Sequence, residues 1–273
     1  MKRRFTNFIL VLVFLAGLSL LLYPTVSDWW NSMHQSRAVA SYNEQISKID
    51  PAIYDQIRES AQEYNRNIPR DATRFKMSDE QRELYNQELN LGGNGIMGII
   101  DIPELGVEMP IYHGTSEGVL QVAIGHIEGT SLPVGGLGTH AALSGHRGLP
   151  SARLFTDLDK MELGDTFMLE ILDEVLTYQV DQILIVKPHE LDDLAIEEGQ
   201  DFCTLVTCTP YGINSHRMLV RGRRVETEAP KAVIRISADA LRIDPLIVAP
   251  ILAAPILLAL LLIVVFYNPK KRR

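Results

Sequence analysis

The sequence predicts a mainly β protein: a closed or nearly closed β-barrel led by helices and flanked by two transmembrane helices. Three observations carry this reading. From residue 92 onward, short β-type runs (IMGIIDIP, MPIYHG, THAALSGH, FMLEILD, LTYQVDQILIVK, FCTLVTC, RMLVRGRRVE) are broken by Gly and Pro at short intervals, the texture of antiparallel all-β folds rather than of alternating β-α units. Between residues 42 and 64 the apolar side chains Tyr42, Ile46, Ile49, Ile53, Ile57 and Tyr64 recur at helical spacing. Two long apolar runs, one near each end, are bordered by basic clusters.

The first apolar run, residues 7–23, carries no charge and follows Lys2, Arg3 and Arg4. It is near the lower limit of the ~20 residues that cross a bilayer core. A cleaved signal peptide shares these features. The nearest Ala-x-Ala, Ala38-Val39-Ala40, lies well beyond the run, which favours an uncleaved signal anchor. Asp50-Pro51 then divides the helical segment in two, because Asp at an N-cap and Pro at the first helical position start a helix; helices are predicted over 33–49 and 51–65. Residues 67–80 are polar without a clear period, and a mobile loop is predicted there. The second apolar run, residues 245–267, precedes Lys270, Lys271, Arg272 and Arg273. The positive-inside rule puts both basic ends in the cytoplasm and everything between the spans outside. The expected organisation is a cytoplasmic tail (1–6), a signal anchor (7–23), an extracytoplasmic helical region (24–91), a β-barrel domain (92–228), a connector (229–244), a second span (245–267) and a basic cytoplasmic tail (268–273).

Seven of the 26 Lys and Arg lie in the terminal tails, leaving 19 basic against 34 acidic residues between them, a formal charge of −15. That balance argues against nucleic acid as a partner. No Cys or His pair has zinc-finger spacing, so no metal is expected. Cys203 and Cys208 lie in one β-rich run at an odd separation, which puts their side chains on opposite faces and leaves two free thiols unless the strand is broken. A free thiol at an extracytoplasmic site points to chemistry.

Cys208 ends its strand, because Pro210 cannot continue the ladder. Arg217 opens the next strand after the loop TPYGINSH, so if the two strands pair as neighbours, thiol and guanidinium face each other across one connection. A thiolate beside a cation suits covalent catalysis. The proton carrier comes from seven histidines. His146, where a strand gives way to Gly and Pro, sits at a loop mouth, and His140 shares its parity; spacing alone does not choose between them.

These residues carry a resemblance. TLVTCTPYGINSHRMLVRG is similar to the sortase active-site strand, GTHAALSGHRGLPSARLFTDL resembles the segment that supplies the sortase histidine, and SEGVLQVAIGHIEGTSLPVGG resembles the stretch preceding it in class C sortases. The resemblance covers about residues 92–225, and two spans with a basic tail resemble class C, the pilin-polymerising sortases. It implies a sortase-like barrel, catalytic Cys208, His146 and Arg217, no cofactor, and a monomer in the membrane of a Gram-positive bacterium. It further implies cleavage of an LPXTG-like sorting signal between Thr and Gly, and transfer through a thioester to a lysine of a pilin subunit. Thr207, beside the nucleophile, is a substrate-binding candidate. Class C sortases carry an Asp-Pro-aromatic lid motif; here Asp50-Pro51 is followed by Ala52 and Asp244-Pro245 adjoins the second span. The lid candidates are therefore Asp71 and Phe75 in RDATRF, in the right region but off the pattern. The rival readings are an endopeptidase using water as acceptor and a non-catalytic membrane-tethered assembly protein.

Overall fold

The computed structural model describes residues 2–149 and 152–227. Eight strands close into one barrel: β1 (Ile96–Ile102), β2 (Val107–His113), β3 (Ile124–His126), β4 (Thr139–Ser144), β5 (Thr166–Ile171), β6 (Glu174–Val186), β7 (Asp201–Thr209) and β8 (His216–Val225). Their order around the barrel is β1-β2-β3-β4-β7-β8-β6-β5, with β5 returning to β1. Most neighbours are antiparallel, but β2 with β3 and β4 with β7 run parallel. Seven of these strands correspond to the predicted runs; the three-residue β3 is too short to show a period.

Burial follows from what covers each strand. β5 alternates half-buried and buried positions, the period of a strand with one face inward. In β1, Ile100 and Ile102 enter the barrel core, while Ile96 and Ile99 pack outward against Val39 and Tyr42 of a helix. Both faces are covered, so the run IMGIIDI is almost wholly apolar. Phe167, Leu205 and Val220 are fully buried in the interior, each contributing about 1.5–3 kcal/mol of burial energy.

Before the barrel come α1 (Lys2–Lys48), α2 (Pro51–Asn67) and α3 (Asp79–Gln87). α1 is one continuous helix of 47 residues, so the apolar run and the helix predicted over 33–49 are parts of one element. Among the described residues it is the one helix long and apolar enough to cross a membrane, by length and composition. The predicted second span at 245–267 lies outside the described residues. α2 starts as predicted: Asp50 accepts from Ala52 N at 3.0 Å, with Pro51 in the first turn.

Residues 67–80 correct the expectation of a mobile loop. A 3-10 turn, Ala72–Phe75, forms there with Asp71 as its cap, and α3 opens with a capping box in which Ser78 and Gln81 satisfy each other's backbone. Local caps, not apolar periodicity, define both elements.

Candidate active site

The strand β7 has two unlike faces. Ala141, Leu143, Cys203, Leu205, Met218 and Val220 from β4, β7 and β8 belong to the barrel core. The alternate positions Thr204, Val206 and Cys208 face outward. Antiparallel pairing with β8 sets Cys208 opposite Arg217, Val206 opposite Leu219 and Thr204 opposite Arg221. Parallel pairing with β4 sets Ser144 beside Val206, and Gly145 N donates to Val206 O at 3.1 Å, extending the ladder past the strand end. Two residues beyond Ser144 match two residues beyond Val206, so this register, carried on, brings His146 alongside Cys208. Cys208 and Arg217 are thus cross-strand partners on β7 and β8, and the segment carrying His146 follows β4, the other neighbour of β7, with neighbouring strands about 4.8 Å apart.

Each member is held by its surroundings. Cys208 is half-buried and unpaired, and Cys203 is a second free thiol deep in the core. Burial pushes the Cys203 thiol well above its ordinary value, with Asp201 adding to the effect. His146 is fixed through its backbone, since its carbonyl accepts from Phe155 N at 3.1 Å and Phe155 is fully buried. Gly145 leaves no room for a side chain here: a Cβ would meet Phe155 and Ile124 at 2.7 Å. Arg217 Nη1 donates to the carbonyls of Asn214 (3.3 Å) and His216 (3.0 Å), which ties the guanidinium to the loop between β7 and β8.

His140 separates from His146 here. Its Nδ1 lies 2.8 Å from the Ala195 carbonyl and its Nε2 lies 2.7 Å from Thr204 Oγ1. A carbonyl only accepts, so Nδ1 carries the proton and Nε2 accepts from the threonine hydroxyl. Burial pushes this imidazole down to about 4. Both ring nitrogens are thereby committed, and His140 closes the far end of the outer face instead of moving protons.

Thr207 faces the other way from Cys208. It is buried, and its Oγ1 donates to Gly145 O at 2.8 Å. Its hydroxyl holds the loop that carries His146, a role that the run TLVTC does not announce. Asp71 accepts from Thr73 N at 2.9 Å, and the Thr73 hydrogen bonds hold its carboxyl below the usual range. Phe75 lies under the Arg74 guanidinium at 4.7 Å, and buried Arg74 donates to Leu194 O at 2.7 Å. The segment therefore packs near the Ala195 end of the outer face. Among the described residues, no hydrogen bond or ring contact joins Asp71 or Phe75 to His146, Cys208 or Arg217.

Sequence reasoning also missed the packing around the histidine loop. Arg147 pairs with Asp159 at 2.5 Å and stands 6.0 Å from the centre of the Tyr211 ring. A side chain on Gly148 (φ +75°) would meet that ring at 2.7 Å. The Gly after His-Arg was a legible signal of a close approach, but not of what approaches.

Known proteins resemble this chain in sequence and fold. A model of the Sortase domain matches residues 100–225. The structure is similar to sortase C1 of Streptococcus agalactiae, at 50% identity and a TM-score of 0.66, over 70% of this chain and 100% of that one. It is likewise similar to sortase C of Streptococcus pneumoniae, at 42% identity and a TM-score of 0.63, over 71% of this chain and 99% of that one. Sortase D of Bacillus subtilis is 28% identical over 131 residues, 47% of this chain and 63% of the relative's length. The closed eight-stranded barrel with helices before it agrees with that likeness, and the chain belongs to the sortase family, in class C.

Proposed function

We propose that this protein is a membrane-anchored cysteine transpeptidase that builds covalent pili. The observation that carries the reading is the cross-strand pairing of Cys208 with Arg217, beside the ladder that β4 extends toward His146. Cys208 attacks the carbonyl between Thr and Gly of an LPXTG-like sorting signal; the C–N bond breaks and a thioester forms. His146 gives its proton to the leaving amine, then accepts one from an incoming lysine amine of a pilin subunit as that nitrogen attacks the thioester, so that a new amide C–N bond forms, the C–S bond breaks and the Cys208 thiolate leaves. Arg217 holds the substrate backbone and stabilises the oxyanion. No cofactor enters, because the electron pair and the proton each return to their starting group after one turnover. Capture of the acyl group on the enzyme lets an amine compete with water, which is what makes joining rather than cutting the outcome.

In this reading α1 is the signal anchor, residues 92–228 are the catalytic domain, and the connector at 229–244 leads to a second span at 245–267. Both basic ends lie in the cytoplasm of a Gram-positive cell, and the enzyme acts as a monomer. The test is a product assay: the full chain in detergent with an LPXTG-type peptide and a lysine-bearing pilin domain, read by mass spectrometry. Joined product that Cys208→Ala abolishes is expected. Hydrolysed peptide alone, with amine present in excess, would make the chain an endopeptidase.

A further inference from the structure

The orientation of α1 on the barrel has a consequence for where the active site lies. Near its start outside the apolar run, Asp28 Oδ1 accepts from Arg153 N at 3.1 Å, in the same loop that bonds back to His146 through Phe155. Further along, Gln35 Nε2 donates to Val122 O at 2.7 Å. Further still, Tyr42 OH donates to Met97 O at 3.1 Å and accepts from Leu172 N at 3.0 Å. Leu172 lies at the turn from β5 to β6, the barrel end opposite Cys208, because β6 runs from there to Val186, the partner of Arg217. From Asp28 to Tyr42 the helix advances about 21 Å, enough to run the height of the barrel. The helix therefore stands along the barrel wall, with its membrane end at the catalytic end.

The distances are short. Tyr23, the end of the apolar run, and Asp28 are separated by five residues, about 7–8 Å of helix. The headgroup layer on one side of a bilayer is about 5–8 Å thick. Directly at this level α1 carries Trp29 and Trp30, both more than half exposed, and tryptophan favours the membrane interface. The loop between β7 and β8 reaches the same end, since Tyr211 packs on Gly148; Tyr211 is 61% exposed and Ile213 72% exposed. Two large side chains at the rim of the catalytic mouth and two on the anchor thus present apolar surface at one end of the barrel.

We propose that the loop carrying Tyr211 and Ile213 is a second membrane contact, resting in the headgroup layer of a phospholipid bilayer beside Trp29 and Trp30, so that the catalytic end of the barrel faces the membrane. The inference rests on the reading of α1 as an anchor. The catalytic mouth then meets chains displayed at the bilayer surface, and the opposite end of the barrel, with Leu137 in the loop before β4, points away.

The test uses the full chain in phospholipid vesicles whose acyl chains are brominated at shallow positions and quench nearby indole emission. The native chain has two tryptophans, Trp29 and Trp30, which report the anchor. In a Trp29→Phe, Trp30→Phe background, Ile213→Trp places one probe at the proposed contact and Leu137→Trp one at the opposite end; Tyr211→Trp, which keeps a ring over Gly148, is a second probe of the contact. Strong quenching and a blue shift at 213 and 211, with neither at 137, are expected. An unquenched probe at both 213 and 211, while the native pair is quenched, overturns the second contact and leaves the anchor standing. An unquenched native pair overturns the anchor reading and the inference with it. Equal quenching at 213 and 137 overturns the orientation.

Discussion

Cys203 and Cys208 share one strand, five residues apart, and differ in almost everything else. Cys203 points into the barrel, fully buried among Ala141, Leu205 and Val220. Cys208 points outward, half-buried at the strand end, with Arg217 as its cross-strand partner. The odd separation decides this, because side chains alternate faces along a strand. One face of β7 holds the barrel together and the other carries the proposed nucleophile. A single strand thus lends its rigidity to both tasks.

The sharpest way to break the comparison is to remove each sulfur. Cys208→Ala is expected to lower transpeptidation at least about a thousandfold, as loss of a nucleophile does, with the urea midpoint unchanged. Cys203→Ala should do the reverse, costing about 1–2 kcal/mol from the cavity left in the core with turnover retained. Equal loss of activity in both variants would dissolve the distinction between the faces.

Acid sharpens the contrast between the near and far ends of the outer face. His140, and His126 elsewhere, are both pushed by burial from about 6.5 to about 4. The unfolded chain binds their protons first, so the stability they contribute is complete above about pH 6.5 and is lost as pH falls toward 4, on the order of 3 kcal/mol each. Asp101, pushed up to about 6 by burial, works in the opposite sense between its ordinary 3.8 and 6, because the folded state binds that proton first. Denaturant midpoints are expected to fall from pH 7 to pH 4.5, and to fall more steeply in Asp101→Asn. A flat profile in both would contradict the neutral, hydrogen-bonded state of His140.

A smaller effect is expected at Thr207. Thr207→Val keeps the shape but removes the hydroxyl that bonds Gly145 O, at a cost of about 1 kcal/mol. If that bond positions the His146 loop, kcat should fall about tenfold with KM little changed, and Thr207→Ser should restore it. A change in KM alone would return Thr207 to substrate binding.

Much of the fold was legible because its signals are local. The alternation in FMLEIL, the Asp50-Pro51 start of α2 and the stop at Pro210 each follow from a few adjacent residues. The pairing of β4 with β7 was not, since nothing in either run states that strands separated by β5 and β6 lie parallel and in register. The choice between His140 and His146 had the same origin: parity treats them alike, the resemblance alone pointed to His146, and the partners Ala195 and Thr204 that occupy both ring nitrogens of His140 are brought in by the fold. The 3-10 turn and α3 were missed for another reason. Their caps at Asp71 and Ser78 were visible, but a reading by apolar period passes over polar elements.

The most direct test of the account is to trap the acyl-enzyme. The full chain incubated with an LPXTG-type peptide, without amine acceptor, and quenched in acid should carry one added acyl mass, lost to hydroxylamine and mapped by tandem mass spectrometry to Cys208. An adduct on Cys203 or on any other side chain, or joined product formed with no adduct on Cys208, would contradict it.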